Sequence, residues 1–348
     1  MIGTLALVVR ATTRSIPLQP HDVAARALEQ SPHNFLFGLI LGRVRSNMAK
    51  RNLLICFDAF GTLFKPKRPI AQQYGEVARS LGSSGFTDDQ VSKSFKAAFK
   101  HETKENPNFG KSNGMNSTTW WTNIIQNTFH TLVGPSPTLT HHLAPALLYR
   151  FSSEEAYILL PDVLPLLQDL RTHPPHGIDR IAVGVITNSD DRVPSVLTSL
   201  GLRVSPWTYG SGGVKARAPV GEVYDVDFTV MSYDVGFEKP DRRVFGAAEE
   251  MLASLPVAAG TEPVSWVKVF VGDECEKDVV GAREAGWCGV LLREAASGVP
   301  DSLKEVDERT PGALLQAVRE GGDAVSIGSF SALAKALGVV LEPDRSSP

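Results

Sequence analysis

The hydrophobic pattern takes three forms along this chain. Leu53 to Phe57 is a short unbroken apolar run, as expected of a strand buried on both faces of a parallel sheet. Asp58 ends that run and Gly61 allows a tight turn after it. From Ile70 to about Leu160 the spacing becomes helical. Ile70, Tyr74, Val77 and Leu81 share one face, Val91, Phe95 and Phe99 recur at every fourth position, and Trp121, Ile124, Ile125, Phe129 and Leu132 form a stripe. Thr87 before Asp88, Asp89 and Gln90 predicts a capped helix start, and Ser117 or Thr118 is expected to cap the stripe-bearing helix. The polar stretch Asn106 to Asn116 reads as loop, and a further helix is expected from about Thr140 to Phe151.

From Asp162 the pattern alternates. Helices are predicted at Val163–Arg171, Val193–Leu200, Arg242–Leu255 and Glu276–Ala285. Strands are predicted at Ile181–Ile186, Val226–Ser232, Val267–Val271 and Trp287–Leu292. Repeated β-then-α units imply an α/β fold, a Rossmann-like parallel sheet covered on both faces. The predicted division is a loose leader (1–50), an α/β core (51–66 and 161–298), an inserted helical domain (67–160) and a C-terminal extension packed on the core (299–348). Residues 204–224 read as a surface insertion, and the extension carries helices near Thr310–Glu320 and Phe330–Leu337 before a loose end.

Composition narrows the function classes. With 348 residues, 43% hydrophobic, the chain can bury two cores. A net charge of −3 from 35 basic and 38 acidic side chains argues against nucleic acid. No run reaches the length of a membrane span, the early run Phe35–Leu41 being broken by Gly38. Three scattered cysteines make neither a disulfide framework nor a zinc site, which points to a reducing, cytoplasmic setting; Cys56 and Cys288 read as core, and Cys275 lies near the candidate chemistry. Residues 1–47 carry five arginines against Asp22 and Glu29. They read either as a mitochondrial presequence or as a leader ahead of an effective start at Met48.

Each core strand ends at a residue with useful chemistry. Asp58 follows the first, Thr187-Asn188-Ser189 the second, a loop with Lys239-Pro240 the third, and Gly272-Asp273 with Asp278 the fourth. Singly these are ordinary helix entries, turns and surface charges. In this order, with a helical insert after the first, they resemble the motifs of the haloacid dehalogenase (HAD) superfamily, subfamily IA. The stretch Pro107 to Trp121 with Thr128-Phe129-His130 is similar to the group that contains rhythmically expressed gene 2 protein and haloacid dehalogenase-like hydrolase domain-containing protein 3.

The resemblance implies Asp58 as nucleophile toward a small phosphorylated substrate, with Thr187 and Asn188 holding phosphoryl oxygens and Lys239 neutralising charge. It implies Mg²⁺ held by Asp58, the Phe60 carbonyl and Asp273, with Asp278 in or near its shell, and the insert as a cap over the substrate. The family's usual acid/base Asp two residues after the nucleophile is here Phe60. That departure leaves three readings: a phosphate-ester hydrolase of low or restricted activity, a HAD-fold binding or regulatory protein, and a 2-haloacid dehalogenase. Trp120 and Trp121 read as insert core or substrate wall, His130 as structural, and His141 and His142 as solvated.

Overall fold

A computed structural model of the chain describes residues 51–134, 139–210, 222–262, 266–296 and 298–341. Both predicted leader readings (1–47), most of the 204–224 insertion and the last residues, 342–348, lie outside them.

The centre of the fold is β1 (Arg51–Phe57), whose residues Leu53 to Phe57 are fully buried. Because side chains alternate across a strand, Leu53, Ile55 and Phe57 enter one core layer and Leu54 and Cys56 the other. This is why the run is apolar without a break. β2 (Phe64–Pro66) leads into a helical insert of α1 (Ile70–Ser80), α2 (Asp88–Glu105), α3 (Ser117–Val133) and α4 (Ala144–Arg150). β3 (Tyr157–Leu159) returns beside β2 as an antiparallel pair, so both crossings between sheet and insert run together.

The chain then alternates as expected through α5 (Val163–Thr172), β4 (Ile178–Thr187), α6 (Val193–Ser199), β5 (Phe228–Met231), α7 (Ser232–Val235), α8 (Arg242–Ser254), β6 (Trp266–Gly272), α9 (Gly281–Glu284) and β7 (Cys288–Leu292). It does not stop there. β8 (Lys304–Glu305), α10 (Ala313–Arg319), β9 (Ala324–Ile327) and α11 (Phe330–Leu337) follow. The sheet is parallel throughout, in the order β5-β4-β1-β6-β7-β9-β8. The C-terminal extension therefore supplies two strands to the sheet, where the hydrophobic pattern ends it at β7.

On one face α5 and α11 cover the sheet, with Leu166, Leu167, Phe330 and Leu333 buried in the same core layer as Ile55 and Phe57 and the Phe330 ring centroid 6.0 Å from that of Phe57. On the other, Phe245 packs edge-on against Phe270 and Trp287, with ring centroids at 5.3 and 5.8 Å. The insert has a layered aromatic interior, Tyr74 meeting Phe95, Phe129 and Phe151. Its α2 starts with the predicted capping box of Thr87 and Gln90. The cap of α3 is not Ser117 or Thr118 but Asn116, whose side chain accepts from the Thr119 N–H at 2.8 Å. Ser117 has another use, described below.

Candidate active site

Strand pairing brings the candidate residues to one edge. Phe57 lies opposite Val185 of β4 and Val271 of β6, so Asp58, Thr187 and Gly272-Asp273 all leave the sheet at its carboxyl end. The Asp58 N–H donates to the Val271 carbonyl at 2.9 Å, which carries the ladder one residue past the strand. Ligands of open α/β sheets bind at this edge.

Lys239 is the hub. Its ammonium donates to Asp58 Oδ1 at 2.7 Å, to Asp278 Oδ1 at 2.7 Å and to the Ile186 carbonyl at 3.1 Å, so all three of its protons are used. All three side chains are almost wholly buried. The ammonium also stands over the Phe270 ring, 4.7 Å from its centroid. Asn188 fixes the backbone from which Lys239 projects: its Oδ1 accepts from the Lys239 N–H at 2.7 Å and its Nδ2 donates to the Lys239 carbonyl at 3.0 Å. The Asn188 amide is thus turned to Lys239. Thr187 is buried at the end of β4.

Asp278 uses both oxygens, one toward Lys239 and the other accepting from the Glu274 N–H at 2.9 Å. It orients the lysine from the far side. On Asp58, Lys239 holds Oδ1, and among the described residues no hydrogen bond reaches Oδ2. Asp273 Oδ1 accepts from the Thr62 hydroxyl at 2.9 Å, a contact across the two motif loops that the sequence does not announce. Gly61 has φ +96°, and a β-carbon there would lie 2.5 Å from Asp273 Oδ2. Glycine is required at this position by both backbone conformation and space.

Asp58 and Asp278 thus share one ammonium, and Asp273 adds a third carboxylate near them. Burial pushes Asp58 up to about 6; Lys239 pulls against this, while Asp278 and Asp273 add to it. Asp273 is raised by burial and by Asp278 and Glu274, with the Thr62 hydroxyl opposing. For Lys239, burial alone would lower the value, but Asp278 and Asp58 outweigh it and keep the ammonium charged. The edge therefore carries an excess of buried negative charge.

Among the described residues no three His, Cys, Asp or Glu side chains converge as a metal cluster. A cation here would draw on Asp58, Asp273 and the Phe60 carbonyl, an all-oxygen set suited to Mg²⁺ that leaves room for water. The unbalanced carboxylates make these residues a fit for a divalent ion.

Phe60 exposes 46% of its surface and packs edge-on against Phe64 and Tyr157 of the β2–β3 crossing. Trp120 is buried in the insert, while His130, His141 and His142 are exposed. Cys275 is partly exposed, and Cys56 and Cys288 are buried. Among the described residues no helix is long and apolar enough to cross a membrane.

The model of the haloacid dehalogenase-like hydrolase family matches residues 53–286. Haloacid dehalogenase-like hydrolase domain-containing protein 3 of Danio rerio is 28% identical over 68% of this chain and 84% of its own length. Rhythmically expressed gene 2 protein of Drosophila melanogaster is 27% identical over 69% and 83% respectively. Among solved structures, a defluorinating L-2-haloacid dehalogenase aligns with a TM-score of 0.51 at 14% identity, over 82% of this chain and 95% of that one, a likeness of fold alone.

Proposed function

The chain belongs to the haloacid dehalogenase-like hydrolase family, and from that premise we propose that it hydrolyses phosphate esters of a small molecule through an aspartyl-phosphate on Asp58. The observation that carries this reading is the pairing of buried Asp58 and Asp278 on the single ammonium of Lys239, with Asp273 adding a third negative charge near Asp58. A dianionic phosphoryl group cannot approach so negative an edge unless cationic charge offsets it. Mg²⁺ held by Asp58, Asp273 and the Phe60 carbonyl would supply that charge.

The protein's own groups account for the rest. Asp58 Oδ2 is free to attack phosphorus; the bond from phosphorus to the ester oxygen breaks and the leaving group departs as its anion, to be protonated by solvent. Water then attacks phosphorus, releasing phosphate and regenerating the carboxylate. Lys239 keeps Asp58 in line and lowers the repulsion, while Thr187 holds a phosphoryl oxygen with its hydroxyl. The helical insert acts as the cap that shapes the substrate pocket.

Phe60 limits this chemistry. Its ring offers no proton to a departing alkoxide and takes none from water, a loss of roughly 10²–10⁴ in rate where proton transfer is needed. Esters whose alcohols leave as stable anions suffer least, so activity is restricted to activated substrates. The same residue favours a second reading, a phosphate-binding protein of this fold without significant turnover. Dehalogenation is disfavoured because Asp273 and Asp278 would oppose a carboxylate-bearing substrate.

The test is turnover of an aryl and an alkyl phosphate with Mg²⁺, in the wild type and in Asp58→Asn. Aryl phosphate hydrolysis that disappears in the variant supports the reading. Equal rates in both proteins remove Asp58 from the mechanism, and phosphate binding without hydrolysis of either ester establishes the second reading.

A further inference from the structure

The insert is seated on the sheet edge through the loop that follows β4. Trp121 of α3 donates its indole N–H to Asp190 Oδ2 at 2.8 Å. Ser117, at the start of the same helix, donates its hydroxyl to Asp191 Oδ1 at 2.6 Å. Asp190 is fully buried, and the Arg192 side chain forks onto it, Nε to Oδ1 and Nη2 to Oδ2, both at 2.8 Å. The same guanidinium stands 4.6 Å from the centroid of the Trp121 ring. Burial would raise the Asp190 carboxyl, but Arg192 and Trp121 together hold it below the usual carboxylate range. A buried carboxylate satisfied this fully is expensive to separate from any one partner.

A second line of contact reaches α7, directly after β5. Asn108 donates to the Ser232 carbonyl at 2.8 Å and accepts from the Ser232 hydroxyl at 2.9 Å, with Asn108 and its neighbour Phe109 both at positive φ. The Tyr233 hydroxyl donates to the Met115 carbonyl at 2.9 Å. These segments are also tied to each other, since the Tyr233 N–H donates to the Ser189 carbonyl at 3.2 Å and Asn188 clasps the backbone of Lys239. The insert therefore rests on Asp190, Asp191 and Ser232, which belong to the segments that directly follow Thr187 and precede Lys239.

We propose that Trp121 and Asp190 are positioning residues: the insert, by seating its indole on Asp190, holds the 187–192 loop in the shape that receives a phosphoryl group. Insert docking and the order of that loop are then one equilibrium, and any ligand that needs the ordered loop favours the docked insert. What the loop receives rests on the phosphate-ester reading above; the seat itself does not.

Hydrogen exchange by mass spectrometry on the full chain separates the two. Without ligand, Trp121→Phe keeps the ring over Arg192 but removes the donor to Asp190. Amides of 187–192 should then exchange roughly tenfold faster, with β1 and β6 unchanged. Trp120→Phe is the control, because the Trp120 indole donates to the Asn106 carbonyl inside the insert, at 2.9 Å, and its loss leaves the Asp190 bond in place; it should accelerate 187–192 much less than Trp121→Phe does. Unchanged exchange of 187–192 in Trp121→Phe, or equal acceleration by both variants, overturns the seat. With inorganic phosphate and Mg²⁺, the wild type should gain protection in 106–121 and 187–192 together, and Trp121→Phe should bind phosphate about tenfold more weakly. Equal phosphate affinity in the two proteins overturns the positioning role alone. A wild type that binds no phosphate overturns it together with the phosphate-ester reading, while the ligand-free comparison still decides the seat.

Discussion

Asp278 Oδ1 lies 2.7 Å from Lys239 Nζ, the same distance that separates that nitrogen from Asp58 Oδ1. One buried cation is thus divided between the proposed nucleophile and a carboxylate whose second oxygen is bound to the Glu274 backbone. Removing the cation leaves two buried carboxylates facing each other. Lys239→Met should destabilise the fold by about 3–5 kcal/mol, since an ion pair broken on one side leaves uncompensated buried charge. Adding Asp278→Asn should recover much of that loss. Thermal melts of the single and double variants check both steps, and Mg²⁺ should raise the melting temperature of the single variant more than that of the double.

Phe60 offers a gain-of-function experiment. Its ring is exposed beside the site and packs on Tyr157 and Phe64 only by its edges, so a smaller polar side chain can be accommodated. Phe60→Asp should raise turnover of an alkyl phosphate by roughly 10²–10⁴ while changing an aryl phosphate little, because only the poorer leaving group needs the proton. The alkyl-to-aryl ratio of kcat/KM is the quantity to measure. An equal change for both esters would show that the missing acid is not what limits the reaction.

Asp234 carries the pH prediction. Burial pushes it up to about 6; Lys111 of the insert opposes this, and Asp191 and Asp190 reinforce it. A carboxyl that binds its proton more tightly when folded contributes most stability at low pH, where both states are protonated. That contribution falls as pH rises from near the ordinary value of 3.8 through about 6, and is lost above. Solvent reaches this partly buried group, so the loss between pH 4 and 7 should be roughly 1–2 kcal/mol rather than the full pKa difference. In Asp234→Asn that part of the pH dependence should vanish. Denaturant titrations of both proteins across this range check the sign: a wild type that gains stability relative to the variant as pH rises contradicts it.

The sheet was legible where the apolar run is long and unbroken; β9, though buried, is four residues interrupted by Ser326 and was missed. The five apolar residues of β1, and the polar residues that close β4 and β6, mark the strands and the edge where Asp58, Thr187 and Asp273 gather. β8 was not legible, because Lys304 and Glu305 are both exposed and carry no hydrophobic period. Single-residue partnerships were equally hidden. Trp121 and Asp190 are separated by 69 positions and Thr62 and Asp273 by 211, and nothing in spacing couples such pairs. The clasp of the Asn188 side chain on the Lys239 backbone is likewise absent from any sequence pattern. Chemistry on one strand end is readable; contacts that exist only after folding are not.

Gly61 tests whether the motif loops approach as closely as the fold requires. Its φ of +96° disfavours any side chain, and the β-carbon of alanine would lie 2.5 Å from Asp273 Oδ2. The carboxylate must then swing away, breaking its hydrogen bond to the Thr62 hydroxyl. Backbone strain of this kind costs on the order of 1–3 kcal/mol, so Gly61→Ala should lower the melting temperature by several degrees. Its larger effect should fall on metal binding, because Asp273 is one of the proposed cation ligands. Mg²⁺ affinity measured by calorimetry should drop at least about tenfold, whereas Thr62→Val, which removes the hydroxyl without moving the backbone, should weaken it less. If Gly61→Ala loses stability but binds Mg²⁺ as tightly as the wild type, Asp273 does not hold the ion.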